Sequence, residues 1–256
     1  MSMENQIILI DKPAGISSFG VVAKIRGKLK AEFGHKVKVG HTGTLDPFAT
    51  GLLILLSGKM TKKSNEFLKL DKEYVATLKL GYTSTTGDPE GEITEYIQST
   101  KPVKIEEHKD KIYDFVAEGA KQCDKISDLS HCEASEIDGF CALSDIQLIL
   151  DSFIGKIRQT PPKFSAIKIN GQRAYKLARE GKDFEIPSRK VEIYSIKILN
   201  YSYPELTIRV HCSSGTYIRT LAEDIGKTLG TGAYLTTLRR IKIGNYDVKD
   251  AEKLVL

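Results

Sequence analysis

The chain has 256 residues, 41% of them hydrophobic, enough for one large core or two smaller ones. Its 38 Lys and Arg against 33 Asp and Glu leave a net charge of +5, a mildly basic balance that suits an RNA partner without requiring one. The longest apolar run, Leu52 to Leu56, is far short of the roughly 20 residues of a bilayer-spanning helix, and Met1 to Ile10 lacks the basic and apolar regions of a signal peptide, so no membrane and a cytoplasmic location are expected.

Gln6 to Ile10 is a short apolar strand that runs into the turn Asp11-Lys12-Pro13-Ala14-Gly15. Ser17 or Ser18 then caps a helix carrying Phe19, Val22, Ile25 and Leu29 at helical spacing. Lys12, on a fixed turn beside that helix start, is either a solvated lysine or a cation for phosphate. Next comes Gly40-His41-Thr42-Gly43-Thr44-Leu45-Asp46-Pro47-Phe48-Ala49-Thr50-Gly51. Its glycines and proline fit neither a helix nor a strand interior, and describe a tight loop whose backbone can approach a ligand. Asp46 in its middle either caps a backbone amide or is held there as a reactive carboxylate. His41 is either satisfied within the loop or free to stack on a base.

Lys72 to Leu80 alternates as a half-buried strand, with Tyr74, Ala76, Leu78 and Leu80 on one face, so Tyr74 points inward. Gly81 to Gly91 is a Gly/Thr loop. From about Ser99 to Ala142 the chain turns rich in Lys, Glu and Asp, with one helical stripe at Ile112, Phe115 and Val116, and a surface insertion is expected there. His108, His131 and the cysteines in it match no familiar metal spacing. Cys123, Cys132, Cys141 and Cys212 contain no C-x-x-C pair, so reduced thiols and no metal are expected. Ser144-x-x-Gln147 has the form of a capping box before a helix with Ile146, Ile149, Leu150 and Phe153 on one face, closed by Gly155. Gln159 to Tyr175 is a proline turn, an extended segment with Lys163 and Lys168, and a basic helix start. Val191 to Leu199 and Leu206 to Cys212 are strands, and Ser213-Ser214-Gly215 turns into a helix with Ile218, Leu221, Ala222, Ile225 and Leu229 on its apolar face. Tyr217 and Arg219 fall in its first turn, off that stripe. A cation at a helix N-terminus is disfavoured by about 0.3–1 kcal/mol, so Arg219 calls for an anionic partner.

The Gly40–Gly51 stretch resembles the signature of the TruB family of tRNA pseudouridine-55 synthases. Asp11-Lys12-Pro13-x-Gly15, Gly81 to Gly91, Pro161-Pro162-x-Phe164-Ser165-Ala166-x-Lys168, Gly215-Thr-Tyr-Ile-Arg-Thr-Leu and Leu238-Arg239-Arg240 resemble further family segments. The resemblance implies an α+β pseudouridine synthase fold, a mixed and mostly antiparallel sheet flanked by helices with the active-site cleft across it. It implies Asp46 as the catalytic carboxylate, Arg219 as its ionic partner, Tyr74 stacked on the target base, Tyr217 and Leu238 walling the pocket and His41 filling the space the base vacates. Many relatives continue into a C-terminal RNA-binding PUA domain, whereas this chain stops soon after Asp250. A single catalytic domain over residues 1–250, without that extension, is therefore expected.

Pseudouridine formation breaks the uracil N1 to ribose C1′ bond, turns the base and joins C5 to C1′. Nothing is oxidised, so no cofactor is expected. It requires a base flipped out of its stack, a nucleophile or base beside the sugar, and an acceptor for the C5 proton. Pairing with Arg219 should favour the charged form of Asp46, and Tyr74 is a candidate proton acceptor. Lys12, Lys163, Lys168, Arg239 and Arg240 are candidates for phosphate contacts. The expected partner is the tRNA T-arm and the expected state a monomer. A guide-RNA-dependent synthase of the dyskerin type relies on the missing terminal domain. A purely RNA-binding protein has no need of a carboxylate facing a polyanion.

Overall fold

The computed structural model describes residues 4–97, 143–169 and 171–254, and the expected insertion, with its stripe, histidines and three cysteines, lies outside them. The first strand, β1 (Ile7–Lys12), enters helix α1 (Ser18–Phe33), capped by Ser17, whose Oγ accepts from the Gly20 N–H at 3.0 Å. The buried face of α1 is Val21, Val22, Ile25 and Leu29. Phe19, expected on that face, is 64% exposed, because Ser18 takes the stripe's first place and the next residue points about 100° away from it.

After β2 (Val39–His41) and the Asp46 loop, β3 (Thr50–Ser57) runs antiparallel to β1. Both faces of β3 are covered, which is why its sequence is continuously apolar rather than alternating. Leu53 and Leu55 pack on α1, while Leu52, Ile54 and Leu56 pack on Phe67 of the short α2 (Ser64–Leu68) and on Ile243. Each such side chain contributes about 1.5–3 kcal/mol relative to exposure, so the loop leaves from a rigid base.

The second half is built on β4 (Lys72–Leu80), whose burial alternates along its length as expected. The small hairpin β5 (Tyr82–Ser84) and β6 (Ile93–Glu95) follows it, and then α3 (Leu143–Ser152) and β7 (Gly155–Gln159). Leu143 is already helical, so Ser144 lies inside α3. Gln147 turns to Asp151 (2.8 Å) rather than back to the helix start, and the expected capping box is not formed. A second hairpin, β8 (Lys168–Ile169) with β9 (Gln172–Arg173), leads into α4 (Ala174–Arg179). The long strands β10 (Arg189–Ser202) and β11 (Glu205–Cys212) precede α5 (Ile218–Thr228), and β12 (Ala233–Ile243), β13 (Tyr246–Asp247) and β14 (Glu252–Lys253) close the chain.

Among the described residues the main sheet runs β14-β1-β3-β12-β4-β11-β10-β7, with β2 beside β3 and β13 beside β12. It is mixed: β1 with β14 and β3 with β12 are parallel, the other pairs antiparallel. Helices α3 and α5 cover the inward face of β4 and β11 through Ile146, Leu150, Leu221, Ala222 and Ile225. The two halves join where Thr50 and Gly51 pair with Arg239 and Arg240. Gly51 has φ +101°, and a Cβ there would stand 2.2 Å from the Arg240 carbonyl oxygen, so the strands meet this closely only at a glycine. The Asp46 loop emerges directly beside that junction.

Candidate active site

The loop is fastened through its backbone. Ser18 Oγ donates to the Leu45 carbonyl and accepts from the Leu45 N–H, both at 2.8 Å. Lys12 Nζ donates to the carbonyls of Pro13, Ile16 and Pro47 at 2.8, 2.8 and 3.1 Å, and Gly15 N–H adds a second bond to Pro47. Arg240 donates from Nε to Leu52 O (2.8 Å) and from Nη2 to Gly43 O (3.1 Å). Lys12 and Arg240 are 0% and 1% exposed, so their head groups hold the loop and are not open to phosphate as expected from sequence. The reason is local: loop carbonyls that no strand can satisfy need donors, and long cations reach them. Burial lowers the Lys12 ammonium to about 8.

Arg219, 4% exposed, is the centre of the site. Its Nη1 donates to Asp88 Oδ2 (3.0 Å) and to Thr86 O (2.9 Å), and its Nη2 to Phe164 O (2.9 Å). Its Nε lies 3.1 Å from Asp46 Oδ2 but is not aligned to donate. The anionic partner expected of Arg219 is therefore present twice over. Asp88 is buried and also accepts from Thr86 Oγ1 (2.6 Å) and the Glu90 N–H (3.0 Å). The Asp46 side chain keeps 32% of its surface open. Burial lifts its carboxyl above the ordinary aspartate value; Arg219 pulls it down and Asp88 pushes it further up. Pairing alone suggested the opposite direction, and burial prevails because the guanidinium is shared.

A cavity of about 280 Å³ opens onto Asp46, at the small end for a ligand pocket. Tyr74, Tyr217 and Leu238 line it, as do Lys72 and Ser165. Tyr74 is buried near Arg240, and burial raises its phenol while the Arg240 charge pulls it down. His41 is half-buried beside the loop, its Nδ1 3.4 Å from the Gly43 nitrogen, and burial lowers its imidazole. It is not among the cavity-lining residues. Arg239 pairs with Asp11 through Nη1 (3.0 Å) and Nη2 (2.8 Å). Lys168 is exposed, and Lys163, also exposed, stands 3.5 Å from Asp183. The structure thus brings Asp46, Arg219, Tyr74, Tyr217 and Leu238 together, and leaves Lys163, Lys168 and His41 outside the cavity. Asp88 was missed. Two signals pointed to it: its place in the Gly81–Gly91 segment that resembles the family, and the unmet need of Arg219 for anions.

Solved structures give the fold its class, that of the pseudouridine synthases. A Cbf5-Nop10-Gar1 complex matches at 27% identity and a TM-score of 0.59 over 98% of this chain and 52% of that one. An H/ACA RNP bound to a substrate RNA containing 2′-deoxyuridine shares the fold at 24% identity and a TM-score of 0.57, over 98% of this chain and 51% of the other. The chain therefore spans about half the length of these solved chains. The family model described as TruB family pseudouridylate synthase (N terminal domain) matches residues 30–131 and 98–218, and that of the tRNA pseudouridylate synthase B C-terminal domain matches 219–255. Proteins named tRNA pseudouridine synthase B are 41% identical in Flavobacterium johnsoniae, over 99% of this chain and 95% of that protein, and 41% identical in Phocaeicola vulgatus, over 96% and 89%. The chain belongs to the TruB family of pseudouridylate synthases. The stretch matched by the C-terminal model includes β12, which pairs with both β3 and β4, so it is part of the same sheet.

Proposed function

We infer that the protein isomerises a uridine of tRNA to pseudouridine, the T-arm uridine at position 55 being the target, and that it does so as a monomer in the cytoplasm with one catalytic body. The observation that carries this reading is Asp46, on a loop fixed through its backbone, beside a guanidinium that shares its charge with a second buried carboxylate. The relatives named tRNA pseudouridine synthase B supply the substrate class. The flipped uridine enters the cavity with its base over Tyr74 and against Leu238. Asp46 acts at the ribose or the ring, Arg219 steadies its negative charge, and the detached uracil turns within the cavity before C5 meets C1′. A carboxyl raised by burial is a stronger base and nucleophile than a free aspartate, which suits either mode of attack. Tyr74, kept a neutral phenol by burial, serves first as a stacking floor, with the Arg240 charge nearby when its hydroxyl takes part in proton transfer.

The test is tritium release from a tRNA transcript labelled at uracil C5. Wild-type protein should release tritium, Asp46→Asn should bind the tRNA and release none, and replacing the T-arm uridine should abolish release. Tight binding without any release by the wild type would overturn the assignment.

A further inference from the structure

Two polar groups that line the cavity have no work in the account above. Arg189, at the start of β10, lies over the Tyr217 ring with its Cζ 4.7 Å from the centroid, and its Nη2 donates to the Gly215 carbonyl. Its Nε is buried without a hydrogen-bond partner, and among the described residues no carboxylate pairs with it. Ser165, 4% exposed, has an Oγ that also finds no partner. Both residues line the cavity. A half-buried guanidinium held against an aromatic ring, yet lacking an anion, is costly in the free protein. A buried hydroxyl left unpaired adds to that cost. Side chains with unmet donors lining one cavity are what a bound ligand would complete.

We propose that Arg189 binds a phosphodiester oxygen adjoining the target nucleotide, and that Ser165 bonds the uncharged part of the same nucleotide. This rests on RNA being the substrate. The guanidinium is pre-positioned by its contact with the Tyr217 ring and its bond to Gly215 O, so little rotamer freedom is lost on binding phosphate. The charge match is good, because the carboxylates near the cavity, Asp46 and Asp88, already share Arg219 and leave Arg189 for the polyanion. The flipped base would then be held from two sides, its ring by Tyr74 and Leu238 and its backbone by Arg189.

The experiment measures binding in the Asp46→Asn background, so that turnover does not intervene, using a T-arm stem-loop RNA and the same RNA with a neutral methylphosphonate at either linkage flanking the target uridine. At one of the two linkages the neutral substitution should weaken binding about tenfold with Arg189 present and cause no further loss in Arg189→Gln. Arg189→Gln should also lower the salt slope of binding by about 0.7, the value of one single-strand phosphate contact. Ser165→Ala should weaken binding with the slope unchanged. Equal penalties from the neutral linkages with and without Arg189, or an unchanged slope, would overturn the proposal, because a merely structural arginine does not sense one substrate charge. Tritium release by the wild type on the same stem-loop tests the enzymatic reading separately.

Discussion

Replacing Asp88 with asparagine separates charge from shape at the centre of the site. Oδ2 of Asp88 accepts from Arg219 Nη1, while Oδ1 accepts from Thr86 Oγ1 and the Glu90 N–H. An asparagine has one oxygen, so it satisfies either the guanidinium or the other two donors, never all three. The loss of one buried charge-assisted bond costs about 1.5–3 kcal/mol. Asp88→Ala, which leaves the guanidinium without this partner, costs about 3–5 kcal/mol, a large part of the stability of an ordinary domain. Thr86 O and Phe164 O still hold Arg219, so the asparagine variant remains folded. Its guanidinium then turns to Asp46 undivided. With the Asp88 charge gone as well, both changes lower the Asp46 carboxyl. In the proposed reaction Asp46 works as a carboxylate, so kcat/KM should fall as pH drops through its pKa, and in the variant that fall should move to lower pH. A carboxylate more tightly neutralised is also a weaker nucleophile. Together with misplacement of Asp46, kcat should drop on the order of 100-fold, which corresponds to about 2.7 kcal/mol. Tritium release across the acid and neutral range, with urea unfolding alongside, reads all three effects. Wild-type kcat in Asp88→Asn, or an acid limb moved upward, would refute the idea that Asp88 acts on Asp46 through Arg219.

Gly51→Ala should lower the melting temperature by about 10 °C, since a Cβ 2.2 Å from the Arg240 carbonyl oxygen adds a backbone clash to left-handed strain, about 4 kcal/mol together; an unchanged melting curve would show that the strands can separate there. Stability should rise as pH increases from about 8 to 9.0, because Lys12 and Lys72 are each lowered from 10.5 to about 8 and the unfolded chain therefore holds more protons than the native one in that window; above it the Cys212 thiol, raised from 9.0 to about 12, offsets the gain. The penalty is fully present below 8. Urea midpoints at the two ends of the window measure it, with Lys72→Met expected to shrink the rise and a falling midpoint counting against it.

Periodicity made much of the fold legible. The alternation of Tyr74, Ala76, Leu78 and Leu80 and the stripe Leu221, Ala222 and Ile225 each depend on one face meeting one core, and they sit where expected. The parallel pairing of Arg239 and Arg240 with Thr50 and Gly51 was not legible, because nothing local in either segment encodes a partner so distant in sequence. Arg219 was found because a cation at a helix start is an electrostatic anomaly. Asp88 was not, since an aspartate in a Thr-rich turn has the pattern of an ordinary side-chain turn until α5 buries it. For Lys12 and Arg240 the sequence shows a charge but not its direction. Both were expected to face RNA, yet the unsatisfied carbonyls of the Asp46 loop drew them inward.

That inward turn has a consequence for reactivity. The loop is held by its main chain, at Gly43, Leu45 and Pro47, with Arg240, Ser18 and Lys12 as donors. The Asp46 carboxylate itself receives charge from Arg219 without an aligned hydrogen bond. A carboxylate locked by several donors would be stabilised as the anion, depressed in pKa and poor at attack. Fixing the backbone instead puts the oxygens in place while leaving their lone pairs for the substrate, and the buried Arg219–Asp88 pair keeps the neutralising charge close but divided. In the proposed reaction, position and reactivity are thus supplied by different residues, the first by buried cations on carbonyls and the second by a guanidinium held slightly off line.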